Sequence, residues 1–249
     1  MQLSAPPSTL LRGASLFLDF DGTLVHLADT PGAVVVSPQL LRLLTSLQER
    51  LDGRLALISG RAADEVIGLL HPFRVALAGS HGGERVDLSG CAQRDEPHPE
   101  LAEVIGRLGQ LERDHPGILV EAKPYGFALH YRLAPNREDF CRQTAEQAAQ
   151  RLGFILQPGK MVIEVKPRGA DKGTALAQFM REAPFAGSRP VFIGDDFTDE
   201  AAFRVARELG GDGVLVGEMR STAAGYHLRD VDMVHQWLTE GRRRWREFG

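Results

Sequence analysis

Short apolar runs bounded by turn residues recur at Ser15 to Phe20, Arg54 to Ile58, Arg74 to Ala78, Pro190 to Ile193 and Gly213 to Val216. Such runs suit strands buried on both faces. Helical patterns lie between several of them. The clearest is Pro38 to Leu51, where Ser37 can cap, Pro38 suits a first turn, and Leu40, Leu44, Leu47 and Leu51 fall on one face. Asp64 to Leu70, Lys172 to Arg181 and Asp199 to Leu209 are shorter candidates. The alternation predicts an α/β fold: a doubly wound, Rossmann-like parallel sheet with helices on both faces.

That rhythm breaks from about Gly83 to about Pro167. Leu101, Val104, Ile105, Leu108 and Leu111 mark one face of a helix, followed by strand-like Gly117 to Ala122 and Gly126 to Leu133. A second helix, Arg137 to Leu152, precedes the strand-like runs Phe154 to Gln157 and Met161 to Val165. This pattern predicts a small α+β unit at 83–167, inserted into a core made of 1–82 and 168–249. The run Arg242, Arg243, Arg244, Arg246 reads as the solvated end of a last helix.

The balance of charge narrows the partners. Lys plus Arg is 29 against 33 for Asp plus Glu, a net charge of −4, so nucleic acid is not expected. Hydrophobic residues at 43% and charged ones at 25% set aside disorder, collagen and coiled coil. Cys91 and Cys141 form neither a disulfide framework nor a zinc motif, which suits the cytoplasm. The longest stretch without Asp, Glu, Lys or Arg, Thr30 to Leu41, is too short to span a bilayer, so no membrane is expected. Met1 to Leu11 reads as a short loose leader, and the chain as a monomer.

Four constellations carry chemistry. In Leu16-Phe17-Leu18-Asp19-Phe20-Asp21-Gly22-Thr23, two carboxylates follow an apolar strand directly. Asp21-Gly22 is also a hairpin signal, so a turn competes with a ligand crevice beyond the strand ends. Val191-Phe192-Ile193-Gly194-Asp195-Asp196-Phe197-Thr198-Asp199-Glu200 repeats the arrangement, with helix capping as its structural alternative. Carboxylates from two strand ends, without histidine, make the oxygen environment that Mg²⁺ prefers. Ser59 in Ile58-Ser59-Gly60-Arg61 and Lys172 after Asp171 complete the series. Each is weak alone, but their order at successive strand-to-helix junctions has few structural explanations.

In that order the chain resembles the haloacid dehalogenase-type phosphatases. The further strings Gly79-Ser80-His81-Gly82, Lys123 through His130-Tyr131-Arg132, and Val162-Ile163-Glu164-Val165-Lys166-Pro167 are similar to those of bacterial trehalose-6-phosphate phosphatases. The resemblance implies trehalose 6-phosphate as substrate, Mg²⁺ as cofactor, and the last step of trehalose biosynthesis. It implies Asp19 as nucleophile, already ionised at pH 7 on a reference pKa of about 3.9, and Asp21 as general acid and base. Ser59 and Lys172 hold the phosphoryl group. Asp19, Asp195 and the main-chain carbonyl of Asp21 hold the metal, and Asp196 and Asp199 orient Lys172 and the metal. Arg61, His81, Lys123, His130, Arg132 and Glu164 face the substrate, and the inserted unit is a lid that selects it. Phosphatases of sucrose phosphate or mannosyl-phosphoglycerate, a sugar phosphomutase, and a non-catalytic Mg²⁺-dependent binding module remain the alternatives.

Overall fold

In the computed structural model, which describes residues 3–28, 31–159, 161–169 and 171–244, the apolar runs fold as strands with both faces covered. In chain order the elements begin with β1 (Ala14–Leu18), α1 (Pro38–Arg50), β2 (Leu55–Ile58), α2 (Ala63–Leu70), β3 (Ala76–Gly79), β4 (Glu84–Val86) and β5 (Ala92–Arg94). They continue with α3 (Leu101–Asp114), β6 (Leu119–Lys123), β7 (Gly126–His130), α4 (Glu138–Leu152), β8 (Ile155–Gly159) and β9 (Val162–Lys166). The last are α5 (Lys172–Phe179), β10 (Arg189–Gly194), α6 (Glu200–Glu208), β11 (Asp212–Val216), β12 (Tyr226–Leu228) and α7 (Val231–Arg244).

Local chemistry explains the best-predicted elements. The Ser37 hydroxyl accepts the Leu40 N–H at 3.1 Å at the start of α1, with Pro38 in its first turn and Leu40, Leu43, Leu44 and Leu47 buried along it. Asp171 caps α5 in the same way, accepting from Thr174 N at 2.8 Å, which fixes Lys172 as its first residue. Gly153, in the left-handed conformation at φ 66°, stops α4.

The chain divides into one unit of residues 1–93 with 171–249 and another of residues 94–170. The expected boundary at residue 82 therefore moves. β4 pairs antiparallel with β3, so the segment just after Gly83 completes the larger sheet. Among the described residues that sheet runs β12-β11-β10-β1-β2-β3-β4-β5, parallel from β12 through β3. Alternation along its strands splits the core in two. Leu16, Leu18, Leu57 and Ile193 pack on the side of α1, α2 and α7, whereas Phe17, Ile58 and Phe192 pack on the side of α5 and α6.

One structural alternative falls away and two expectations change. The turn after β1 does not return as a hairpin, because β1 is flanked by parallel β2 and β10, and Asp21 makes only an isolated bridge with Val25. The leader is not loose from Leu3 onward. Leu10 and Leu11 are buried in the core, Arg189 donates to the Leu10 carbonyl at 2.7 Å, and His227 N donates to the Ser4 carbonyl at 3.0 Å. The helical reading of 199–209 begins with a 3₁₀ turn at Phe197–Asp199. Met1, Gln2, Arg246 and the side chains of Arg242 to Arg244 lie outside the described residues.

In the smaller unit, the sheet runs β6-β7-β9-β8, antiparallel throughout. Phe127, Leu129, Ile163 and Val165 pack one of its faces against Val104 and Leu108 of α3 and Ala145 and Ala149 of α4. The opposite face holds the polar residues. No helix among the described residues is long and apolar enough to cross a membrane.

Candidate active site

β1 and β10 are neighbours in register, so the residues that follow them emerge side by side at the carboxyl edge of the sheet. Asp19 follows β1 and is buried, its N–H donating to the Ile193 carbonyl of β10 at 2.9 Å. Lys172, first residue of α5, lies with Nζ 2.7 Å from Asp19 Oδ1 and 2.7 Å from Asp199 Oδ1. Asp195, after β10, brings a carboxylate oxygen within 4.8 Å of one on Asp19. Gly22 makes this convergence possible: at φ +75° it takes a turn that disfavours side chains, and a Cβ there would run into the Asp195 carboxylate.

The result is a buried charge imbalance. Asp19, Asp195 and Asp199 offer carboxylate oxygens within 4.8 Å of one another, and a single ammonium lies among them. Burial pushes Asp19 up to about 7, with Lys172 pulling the other way and Asp195 adding to the rise. The same desolvation takes Asp199 to about 7 and Asp195 to about 6. Lys172 would be lowered by its own burial, but Asp19 and Asp199 outweigh that and hold it above its ordinary value. The reference value of about 3.9 belongs to a solvated carboxyl, and burial in the metal-free site raises Asp19 above it. A divalent cation fits the donor set, which is all oxygen with excess negative charge. The spacing is close to the oxygen–oxygen separations of up to about 4 Å around an ion with ligands at about 2.1 Å.

Asp21 is held elsewhere. Arg61 grips its carboxylate with two bonds, Nε to Oδ2 at 2.6 Å and Nη2 to Oδ1 at 2.8 Å, and also pairs with Glu65. Ser59, buried at the end of β2, accepts the Arg61 N–H at 3.1 Å, leaving its own hydroxyl hydrogen to donate. His81 is buried against Gly60, where a Cβ would sit 2.8 Å from the ring. The two loops are laced together, Ser80 N donating to the Arg61 carbonyl at 2.7 Å and His81 N to the Ser59 carbonyl at 3.0 Å. Asp196 stands apart from the acidic cluster. It is exposed, and its Oδ1 accepts the Phe197 N–H at 2.7 Å as a cap, while Lys172 is held by Asp19 and Asp199.

Within the smaller unit, strand register puts several expected residues on one face. Ala128 lies opposite both Glu121 and Glu164, and alternation adds Lys123 and His130 to the same side. Lys123 Nζ meets Glu164 Oε1 at 2.9 Å, and His130 Nε2 lies 2.8 Å from Glu121 Oε2. Burial raises the Glu121 carboxyl, but the hydrogen bond from His130 outweighs it and holds it below its ordinary value. Arg132 is exposed in the turn beyond β7, off the sheet.

Two residues were missed. Glu121 could have been found two positions before Lys123. Glu84 is buried and accepts from Ser80 Oγ at 2.6 Å and from Ala63 N at 3.2 Å, tying the loop after β3 to the start of α2. Its only sequence signal is an acid close after Gly79-Ser80-His81-Gly82.

A family described as trehalose-phosphatase matches residues 17–232. The trehalose-6-phosphate phosphatase of Escherichia coli (strain K12) is 44% identical over 224 residues, 89% of this chain and 84% of that protein. Among solved structures, a trehalose-6-phosphate phosphatase related protein superposes with a TM-score of 0.77 at 27% identity, covering 94% of this chain and 99% of the other. A haloacid dehalogenase-like hydrolase from Bacteroides thetaiotaomicron shares the fold at 19% identity and a TM-score of 0.64, covering 93% of this chain and 100% of its own. By sequence over most of its length and by fold, the chain belongs to the trehalose-phosphatase family.

Proposed function

We propose that the protein is a Mg²⁺-dependent phosphatase that hydrolyses trehalose 6-phosphate to trehalose and phosphate, the last step of trehalose biosynthesis. The observation that carries this reading is the buried Asp19, 2.7 Å from Lys172 and gathered with Asp195 and Asp199. Mg²⁺ at Asp19, Asp195 and the main-chain carbonyl of Asp21, with Asp199 beside them, would offset the excess negative charge and lower the repulsion between carboxylate and phosphate.

The rest of the chemistry belongs to the side chains. An Asp19 oxygen attacks phosphorus and the bond to the sugar oxygen breaks, leaving an aspartyl-phosphate. Asp21 gives the departing oxygen its proton, then takes one from the water that attacks the intermediate. The bond from phosphorus to Asp19 breaks, phosphate leaves and the carboxylate is restored. Lys172 and the Ser59 hydroxyl donate to the phosphoryl oxygens as charge redistributes. Asp199 keeps Lys172 aimed at Asp19. Arg61 is engaged by Asp21 and Glu65, so any contact it makes with substrate comes at the expense of that grip.

The smaller unit, residues 94–170, acts in this reading as the lid that selects substrate. Lys123, His130, Glu164 and the added Glu121 present charged donors and acceptors on one face, which suits a ligand carrying many hydroxyls. Arg132 is the weakest of the expected sugar contacts. The test is phosphate release from trehalose 6-phosphate, sucrose phosphate and mannosyl-phosphoglycerate, each with Mg²⁺ and with EDTA. Trehalose 6-phosphate should respond strongly and lose its activity in chelator. A different sole responder would reassign the substrate, silence across the panel would favour a binding module, and full activity in excess EDTA would overturn the metal.

A further inference from the structure

Arg220 lies in the loop between β11 and β12, and no part of the reaction above uses it. Its Nη2 donates to the Asp196 carbonyl at 2.7 Å and reaches the Asp195 carbonyl at 3.5 Å. Its Nη1 pairs with Glu200, and the two side chains are only 16% and 14% exposed. Glu200 in turn accepts the Ala223 N–H at 2.8 Å, fastening the far side of the loop. The guanidinium also lies 4.5 Å from the centre of the Phe197 ring, a residue that is 71% exposed.

These contacts converge on the peptide group between Asp195 and Asp196. Its N–H donates to Asp199 Oδ2 at 2.8 Å, while the other Asp199 oxygen holds Lys172. Its carbonyl, and the next one along, face Arg220. One side of the acidic loop is therefore clamped by the site itself and the other by a single guanidinium. A planar fork with several donors can hold two neighbouring carbonyls and a carboxylate at once, as an ammonium cannot.

We infer that Arg220 is a positioning residue for the cation site, fixing the acidic loop so that the Asp195 carboxylate stays turned toward Asp19. The inference rests on the metal reading above. It predicts a change in metal affinity rather than in the chemistry at saturating metal, because Arg220 touches neither Asp19 nor Lys172 in any contact described. Groups behind metal ligands commonly alter affinity by roughly 10- to 100-fold.

The experiment measures Mn²⁺ binding to the substrate-free protein by electron paramagnetic resonance. It is paired with the Mg²⁺ dependence of phosphate release and with thermal melting. Arg220→Met keeps bulk and loses every donor, Arg220→Lys keeps charge and loses the fork, and Arg85→Met removes an unrelated ion pair with Glu182. The Met variant should bind Mn²⁺ about tenfold more weakly or worse and need correspondingly more Mg²⁺. Its kcat at saturating Mg²⁺ should stay within about threefold of wild type, with the Lys variant intermediate. Mn²⁺ affinity within twofold of wild type in a folded Met variant, or an equal loss in Arg85→Met, would overturn the inference. If the Met variant does not fold, unchanged affinity in Arg220→Lys overturns it. A wild-type protein that binds no Mn²⁺ would instead remove the metal reading beneath it.

Discussion

Two buried carboxylates and a half-buried third, gathered with one ammonium, decide what the site can hold, and each of those residues sits where a strand or helix begins or ends. Asp19, Asp195 and Lys172 were legible because an acid or base at the end of an apolar run has few reasons to be there. Their charge state was not, since a reference pKa says nothing of burial. Nor was the grip of Arg61 on Asp21, formed across 40 positions. Asp19→Asn keeps the shape and removes the nucleophile, so phosphate release should fall by at least about a thousandfold while the melting transition persists. Turnover within tenfold of wild type would remove Asp19 from that role. Asp21→Asn should cost far more on trehalose 6-phosphate than on a nitrophenyl phosphate, whose leaving group needs no proton. Equal losses would count against Asp21 as the acid.

At the scale of elements, the long or capped ones were legible and the short ones were not. Ser37 with Pro38 marked α1, because capping is written in adjacent residues. β4 and β12, three residues each, owe their existence to partners already in the sheet, and nothing local announces them. Register in the smaller sheet was equally hidden. Alternation says that Glu164 and Lys166 share a side, but only the pairing of β7 with β6 and β9 brings Glu121, Lys123 and His130 to it. This placement sharpens the test of Glu164, whose carboxylate also holds Lys123. Glu164→Ala should cost about 2 to 4 kcal/mol in kcat/KM for trehalose 6-phosphate, roughly 30- to 1000-fold. A small aryl phosphate should lose much less, and parallel kinetics on the two substrates decide it, since equal losses would make Glu164 a general structural support.

For the whole molecule, an α/β core with an inserted α+β unit was legible from rhythm alone, because a change in periodicity marks an insertion. Its first boundary was misplaced by about ten residues, since β4 looks like the start of the new unit and pairs with the old one. β1 pairs in parallel with β10, Ala14 opposite Arg189, while the whole of the smaller sheet lies between them in sequence. A ribosome therefore delivers β6 to β9 complete before the central strand of the larger sheet has its second neighbour. Local antiparallel pairing forms early and distant parallel pairing late. In pulse-labelled hydrogen exchange during refolding, amides of Phe127, Leu129 and Val165 should gain protection ahead of those of Leu16 and Phe17, and simultaneous protection would refute that order. In the proposed mechanism the nucleophile follows β1, so during synthesis Asp19 waits for the second half of the chain, and a nascent protein with the polar face of its smaller sheet already built should release no phosphate until β10 and the residues after it are translated.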